Sequence, residues 1–260
     1  EFRRVLFRSY VYVDKTVHIR ELLRPYVGMY FLSRPRRFGK SLLVTTLKAI
    51  FEVQRELFEG LAINDSDYEW QEHPVIHIDM SLIPASSAKE LDSMLHSQVD
   101  DIAAGLGIEL ENDNLAKRFG ELIKKLAERN RVAILIDEYD KPILDNISRP
   151  DARSAIKDVL SGFYGVIKPL DSHLRFVLLT GVTKFSKVSV FSKLNNLKDL
   201  TMSESTADML GYTQQELSDN FPDYLERIQD KLGLSEPQLM ERIRYWYNGY
   251  RFSIGIVQVR

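Results

Sequence analysis

The chain has 260 residues, 44% of them apolar, enough for a large buried core in one domain or in a core with a smaller appendage. Its 35 basic and 37 acidic residues leave a formal charge of −2, which excludes a general pull toward nucleic acid or anionic membrane, so any basic site has to be local. It has no cysteine, which excludes disulfides, thiolate metal sites and cysteine nucleophiles and is compatible with a reducing compartment.

His18, His73, His77, His96 and His173 are scattered without a metal-ligand spacing, so each is expected to be structural or solvated. The longest apolar runs, Val132–Ile136 and Phe176–Leu179, are strand-sized, far short of the roughly 20 residues that span a bilayer. No membrane partner is expected, and the default location is the cytoplasm. The start, EFRRVLFRS, lacks the apolar core and cleavage site of a secretory signal and looks like a translated sequencing-adapter oligonucleotide. Residues 1–9 are therefore set aside as non-native, and 254–260 as a truncated or non-native end.

In chain order, YVYVDKTVHIRELL begins extended and turns helical near Thr16, whose hydroxyl is placed to cap a helix burying Ile19, Leu22 and Leu23. A strand follows at Met29–Ser33. Leu42, Leu43, Thr46, Leu47, Ile50 and Phe51 recur at helical spacing and predict a helix over 41–58. HPVIHIDMS (73–81) alternates like a strand, and helices are expected over 86–104 and 114–129. RVAILIDEYD holds a continuous apolar run, as suits a strand buried on both faces of a parallel sheet. A helix over 151–168 and a strand over 174–181 complete four strand–helix alternations, which imply an α/β domain with a mostly parallel sheet. From about Thr201 no strong strand signal remains, and SESTADML, TQQELSDNF, YLERIQDKLG and SEPQLMERIRYWY read as short capped helices forming an appendage.

The strand at 29–33 runs into Arg34, Pro35, Arg36, Arg37, Phe38, Gly39, Lys40, Ser41 and Leu42, the expected nucleotide-binding set. A phosphate-binding loop aims consecutive backbone N–H groups at phosphates at a strand-to-helix turn, its lysine reaching the outer phosphates and the next hydroxyl holding Mg²⁺. Gly39-Lys40-Ser41 keeps the second half of that pattern. Its first glycine is replaced by Arg34, followed by Pro35, which can fix an alternative turn. Arg34, Arg36, Arg37 and Lys40 crowd positive charge in a way that a bound anion would explain, the alternative being a solvated basic loop.

Asp137 and Glu138 end the apolar strand where ligands bind in open α/β sheets. Asp137, with Ser41, is placed to hold Mg²⁺, and Glu138 to orient or deprotonate an attacking water. The strand near 75–81 is read as the strand inserted between loop strand and acid strand that separates glutamate-using nucleotide hydrolases from kinase-like ones. A polar residue ending the following strand, between loop strand and acid strand in the sheet, should sense the γ-phosphate, and Thr180 is that residue. The catalytic set is thus Glu138, Lys40 and Thr180.

In order, YVDKT, FLSRPRRFGKS, LIDEYDKPI, LLTGVTKFSKVSVFSKLNNLKDLT and YNGYRFS resemble the AAA-ATPase-like domain that typically precedes a PD-(D/E)XK-type nuclease domain in bacterial proteins. The resemblance implies a P-loop NTPase core of the additional-strand type over about 10–200, a helical lid over about 201–253, and binding and hydrolysis of Mg²⁺-ATP. In that family the arginine-proline loop is usual. The likeness also implies that Asp14-Lys15-Thr16 lies near the nucleotide and that Tyr247-Asn248-Gly249-Tyr250 closes the lid. It suggests a switch or motor for a C-terminal effector, nucleic acid entering only through that nuclease; these residues contain no PD…(D/E)xK pattern, and no nuclease activity is expected of them. Arg36, Arg37, Lys184, Lys187 and Arg251 are candidate fingers for charge on the γ-phosphoryl group, the alternative for each being surface charge, and a finger in trans would make the protein a homo-oligomer. RIRYWYNGYRF interleaves aromatic and basic residues that either stack on a base or pack in the core. The rival readings are a nucleotide-gated module without turnover and a DNA-binding domain using the basic loop.

Overall fold

A computed structural model describes residues 2, 11–183, 194 and 196–247, with nothing stated of the side chain of Tyr247. Helix α1 (Thr16–Leu23) leads to strand β1 (Gly28–Ser33) and helix α2 (Lys40–Phe51). Strand β2 (Val75–Asp79) is followed by α3 (Ala88–Gly105) and α4 (Leu115–Ala127). Strand β3 (Val132–Asp137) precedes α5 (Lys141–Asp145) and α6 (Pro150–Gly165), then strand β4 (Leu174–Gly181). A two-residue strand β5 (Lys198–Asp199) and helices α7 (Gln214–Asn220), α8 (Pro222–Leu232) and α9 (Glu236–Tyr247) follow.

The five strands form one parallel sheet in the order β2-β3-β4-β1-β5. Period-2 side-chain alternation sends Ile134 and Ile136 to one face and Ala133 and Leu135 to the other. Apolar residues of α3, α4 and α6 cover the first face, and those of α1 and α2 the second. Both faces of β3 are therefore dry, which is why all six of its residues are buried and its sequence reads as an unbroken apolar run.

Three expectations need correction, and one short strand was not foreseen. The strand at 75–79 does not lie between β1 and β3 but sits at the outer edge beside β3; the strand between them is β4, where the strand ended by Thr180 was expected. Thr16 does not cap α1: its hydroxyl accepts the Ile63 N–H (3.0 Å), while Asp14 Oδ1 takes the Thr16 N–H (2.8 Å). Helix α2 stops at Phe51, because Val53 adopts a left-handed φ of 54° and Gln54 N–H turns back to Ala49 O (3.0 Å). Strand β5 has too few residues to carry a periodic signal, yet pairs Lys198 and Asp199 with Tyr30 and Phe31. Phe2, from the set-aside start, is buried against Tyr12 and Phe58.

Candidate functional site

In parallel register Leu32 lies beside Thr180, Ser33 beside Gly181, and Asp79 beside Asp137, so the carboxyl ends of four strands finish together. Backbone bonds lock this edge: Arg34 N–H donates to Gly181 O (3.1 Å) and Tyr139 N–H to Thr180 O (2.9 Å). The loop from β1 to α2, the acids after β3 and the threonine ending β4 thus share one rim, where an open α/β sheet presents its crevice.

Within the loop Arg37 has φ 65° and Gly39 φ 84°, and Gly39 is the residue that lets the chain enter α2 in the left-handed conformation. Lys40 is the first helical residue. The residue is 5% exposed, and its ammonium donates to the carbonyls of Arg34 (3.1 Å) and Pro35 (3.0 Å). Burial lowers its pKa, opposed by the charges of Asp137, Glu138 and Asp140 and aided by that of Arg36. Ser41 is half-buried at the positive end of the helix, beside half-buried Leu42.

Arg34 behaves differently from its neighbours. The residue is 1% exposed and its guanidinium is turned into the protein, donating to the carbonyls of Ser33 (3.0 Å), Thr201 (2.7 Å) and Thr206 (3.4 Å). Burial pulls its pKa down to about 10 against the opposing charge of Asp199. Part of the positive charge that the sequence attributes to a bound anion is therefore consumed by internal carbonyls. Pro35 and Phe38 are half-buried, and Arg36 and Arg37 are exposed.

Asp137 is 2% exposed and accepts the Thr180 hydroxyl and the Glu138 N–H (3.0 Å). Glu138 has φ 52°, a left-handed conformation that costs a non-glycine residue about 1–2 kcal/mol and marks the turn as strained. Its pKa is raised, first by burial and then by the charge of Asp137, with Lys40 opposing. Among the described residues its carboxylate accepts no hydrogen bond.

The sequence reading gave Asp140 no role at the site. This residue is 1% exposed, and its Oδ2 accepts Val182 N–H (3.0 Å), Thr183 N–H (2.7 Å) and the Thr183 hydroxyl (2.6 Å). It fixes the chain just after Thr180. Gly181 supplies room: an added Cβ would lie 2.5 and 2.6 Å from Tyr139 ring carbons. Nothing local in DEYD marks these roles, which depend on a strand far along the chain.

Beside the loop, on the α2 side, a cavity of about 160 Å³ is walled by Tyr12, Lys15, Phe38, Leu42, Leu210 and Tyr212. Asp14 pins the strap containing Lys15 through Ala62 N–H (2.7 Å), and Lys15 reaches across to Glu216, itself the capping-box acid of Thr213 at the start of α7. The sequence motif YVDKT therefore adjoins the loop. On α9, Tyr245 (82% exposed) and Trp246 (70%) do not pack into the core, correcting that alternative; Leu239 and Met240 make its buried contacts. Lys184, Lys187, Asn248, Gly249, Tyr250 and Arg251 lie outside the described residues.

Among the described residues no three His, Cys, Asp or Glu side chains converge into a protein metal cage. Magnesium commonly uses one or two protein oxygens completed by water and substrate phosphates. The Ser41 hydroxyl and the Asp137 carboxylate are a donor set of that kind. Also among the described residues, no helix is long and apolar enough to cross a membrane.

Comparison with known proteins gives two findings. The sequence profile described as "Predicted AAA-ATPase" matches residues 1–191. A protein of Azotobacter chroococcum mcd 1, titled "Uncharacterized protein in vnfD 5'region", is 41% identical over 248 residues, covering 94% of this chain and 46% of its own. The chain thus spans about half the length of that relative.

Proposed function

The chain belongs to the AAA-ATPase-like family, and from that premise we propose that it binds Mg²⁺-ATP at the rim described above and hydrolyses it. The observation that carries the reading is the convergence of buried Lys40, the Thr180–Asp137 pair and the Glu138 carboxylate, which accepts no hydrogen bond among the described residues, at the ends of adjacent strands. In this reading the loop N–H groups and the start of α2 receive the phosphates, and Lys40 exchanges its two loop carbonyls for phosphate oxygens. The base occupies the cavity between the Tyr12–Lys15 strap and Leu210–Tyr212, and α7–α9 act as a lid.

Glu138 orients the attacking water and takes its proton, a role that a raised carboxylate pKa favours. Water attacks the γ-phosphorus in line, and the bond to the bridging oxygen breaks, releasing ADP and phosphate. Ser41 and Asp137 would hold magnesium, which when bound neutralises charge on the phosphates. Thr180 positions Asp137, while Asp140 holds the backbone that follows Thr180. The ATPase unit would control a C-terminal effector, a role in keeping with the relative's greater length.

The test is the melting midpoint of the chain with and without Mg²⁺-ATP, for wild type and Lys40→Ala, followed by turnover in Glu138→Gln. At a hundredfold excess over Kd, ligand stabilises the native state by about 2.7 kcal/mol, roughly 5–10 °C for a chain of this size. The reading requires that shift in wild type and its loss in Lys40→Ala. Glu138→Gln should keep the shift and lose phosphate release; equal turnover in that variant would remove Glu138 from the mechanism, and no turnover in wild type would leave a nucleotide-gated module.

A further inference from the structure

The opposite end of the sheet carries a second concentration of cations. Arg131 immediately precedes β3 and Arg175 is the second residue of β4, so adjacent strands bring the two guanidinium groups to one side of the amino-terminal edge. This edge is a strand length, about 20 Å, from the loop rim. Arg175 donates to the carbonyls of Leu23 (2.6 Å) and Pro25 (2.9 Å), and Arg131 to that of Leu174 (3.5 Å). Among the described residues neither makes an ion pair with a carboxylate. Burial lowers the pKa of Arg175, opposed by Tyr68, Tyr30 and Tyr26, with a smaller lowering from the charge of Arg131.

These arginines line a cavity of about 610 Å³ together with Tyr26, Tyr68 and two arginines paired with Glu21, Arg20 (3.2 Å) and Arg24 (2.8 Å). Two acids also line it: Asp67 is paired with Arg20 (3.4 Å), and Glu69 is exposed. Arg131 stacks 4.3 Å over the ring of Tyr26, which is 72% exposed, a guanidinium–aromatic pair of the kind on which a base can stack. Arg131 also lines a neighbouring cavity of about 560 Å³ with Ser172, Asn196, Lys198 and the acid Asp171. The two spaces share Arg131 as a lining residue.

We propose that this edge is a binding site for single-stranded nucleic acid, with a base stacked at Tyr26–Arg131 and backbone phosphates met by Arg131 and Lys198, while Arg175, held by the Leu23 and Pro25 carbonyls, adds its charge to the site. The site is independent of the nucleotide reading at the loop, because it shares no residue with it.

The test is fluorescence anisotropy of a labelled oligothymidylate of about ten nucleotides at low salt, with the full chain, Tyr26→Ala, Arg131→Gln and Lys40→Ala. Wild type should bind, with affinity falling linearly in log salt; Tyr26→Ala and Arg131→Gln should each bind roughly tenfold more weakly or worse. Lys40→Ala should bind as wild type does. Tyr26 is exposed, so Tyr26→Ala should melt with wild type; an unchanged melting midpoint certifies each variant as folded. The proposal is overturned if wild type does not bind, if both edge variants bind as wild type, if Lys40→Ala alone loses binding, or if thymidine monophosphate competes as well as the strand.

Discussion

The Thr180–Asp137 bond offers the most direct access to the rim, because both side chains are closed off from water, at 0% and 2% exposure. Thr180→Val keeps the shape of the side chain and leaves no cavity, so its effect isolates the hydroxyl. A hydrogen bond to a charged acceptor contributes about 1.5–3 kcal/mol. The additional buried methyl returns about 0.8 kcal/mol. Asp137 keeps the Glu138 N–H at 3.0 Å, which limits the penalty of leaving the carboxylate short of a donor. The net loss should be about 1–2 kcal/mol, lowering the melting midpoint by roughly 3–6 °C at this chain length. Urea unfolding of Thr180→Val, Asp137→Asn and the double variant separates the bond from the individual side chains. The single losses should fail to add, with a coupling of about 1 kcal/mol or more. Additivity within about 0.5 kcal/mol would mean that the two groups act independently and would refute a shared role at the rim.

Three other substitutions follow from the geometry. For Glu138→Gln the sign of the pH dependence is set by a folded-state pKa raised above 4.5: the native state holds a proton that the unfolded chain has released, so this group's stabilising contribution is complete below pH 4.5 and is lost as pH rises through the folded value. The glutamine variant should therefore be more stable than wild type at pH 7, with the gap closing below pH 4.5 in denaturant titrations across pH. Gly181→Ala places a Cβ 2.5 Å from Tyr139 and 2.8 Å from Asp140 Oδ1, and calorimetry should register a loss of about 1–3 kcal/mol or more. Arg34→Lys keeps the charge but puts all its donors on one nitrogen, which cannot stand where both terminal guanidinium nitrogens now reach the Ser33, Thr201 and Thr206 carbonyls, so its melting midpoint should fall by an amount equivalent to about 2–3 kcal/mol.

The parts of the fold legible in sequence are those whose signals are local. The strand at Leu174–Gly181 has the bounds its apolar run suggests, and Gly39-Lys40-Ser41 opens a helix where the pattern places it. Thr213 and Glu216 form a capping box three residues apart, the kind of short-range pairing a sequence displays openly. Roles shared between distant segments were not legible. Asp140 looks like one more turn acid until β4 delivers the Val182 and Thr183 amides to it, and Arg34 looks like part of an anion site until Thr201 and Thr206 offer it their carbonyls.

By itself the sequence determined a cysteine-free α/β chain with a phosphate-loop pattern and a pair of acids ending a buried strand, because composition, side-chain period and loop chemistry act between near neighbours. Only the tertiary structure decided that β2 lies at the outer edge of the sheet, that Arg34 faces inward, and that Arg131 and Arg175 line one cavity at the far edge. The physical reason is that strand order is set by how helices pack back across the sheet. That choice is made by surfaces remote from each other in the chain, and it fixes which side chains meet at each end.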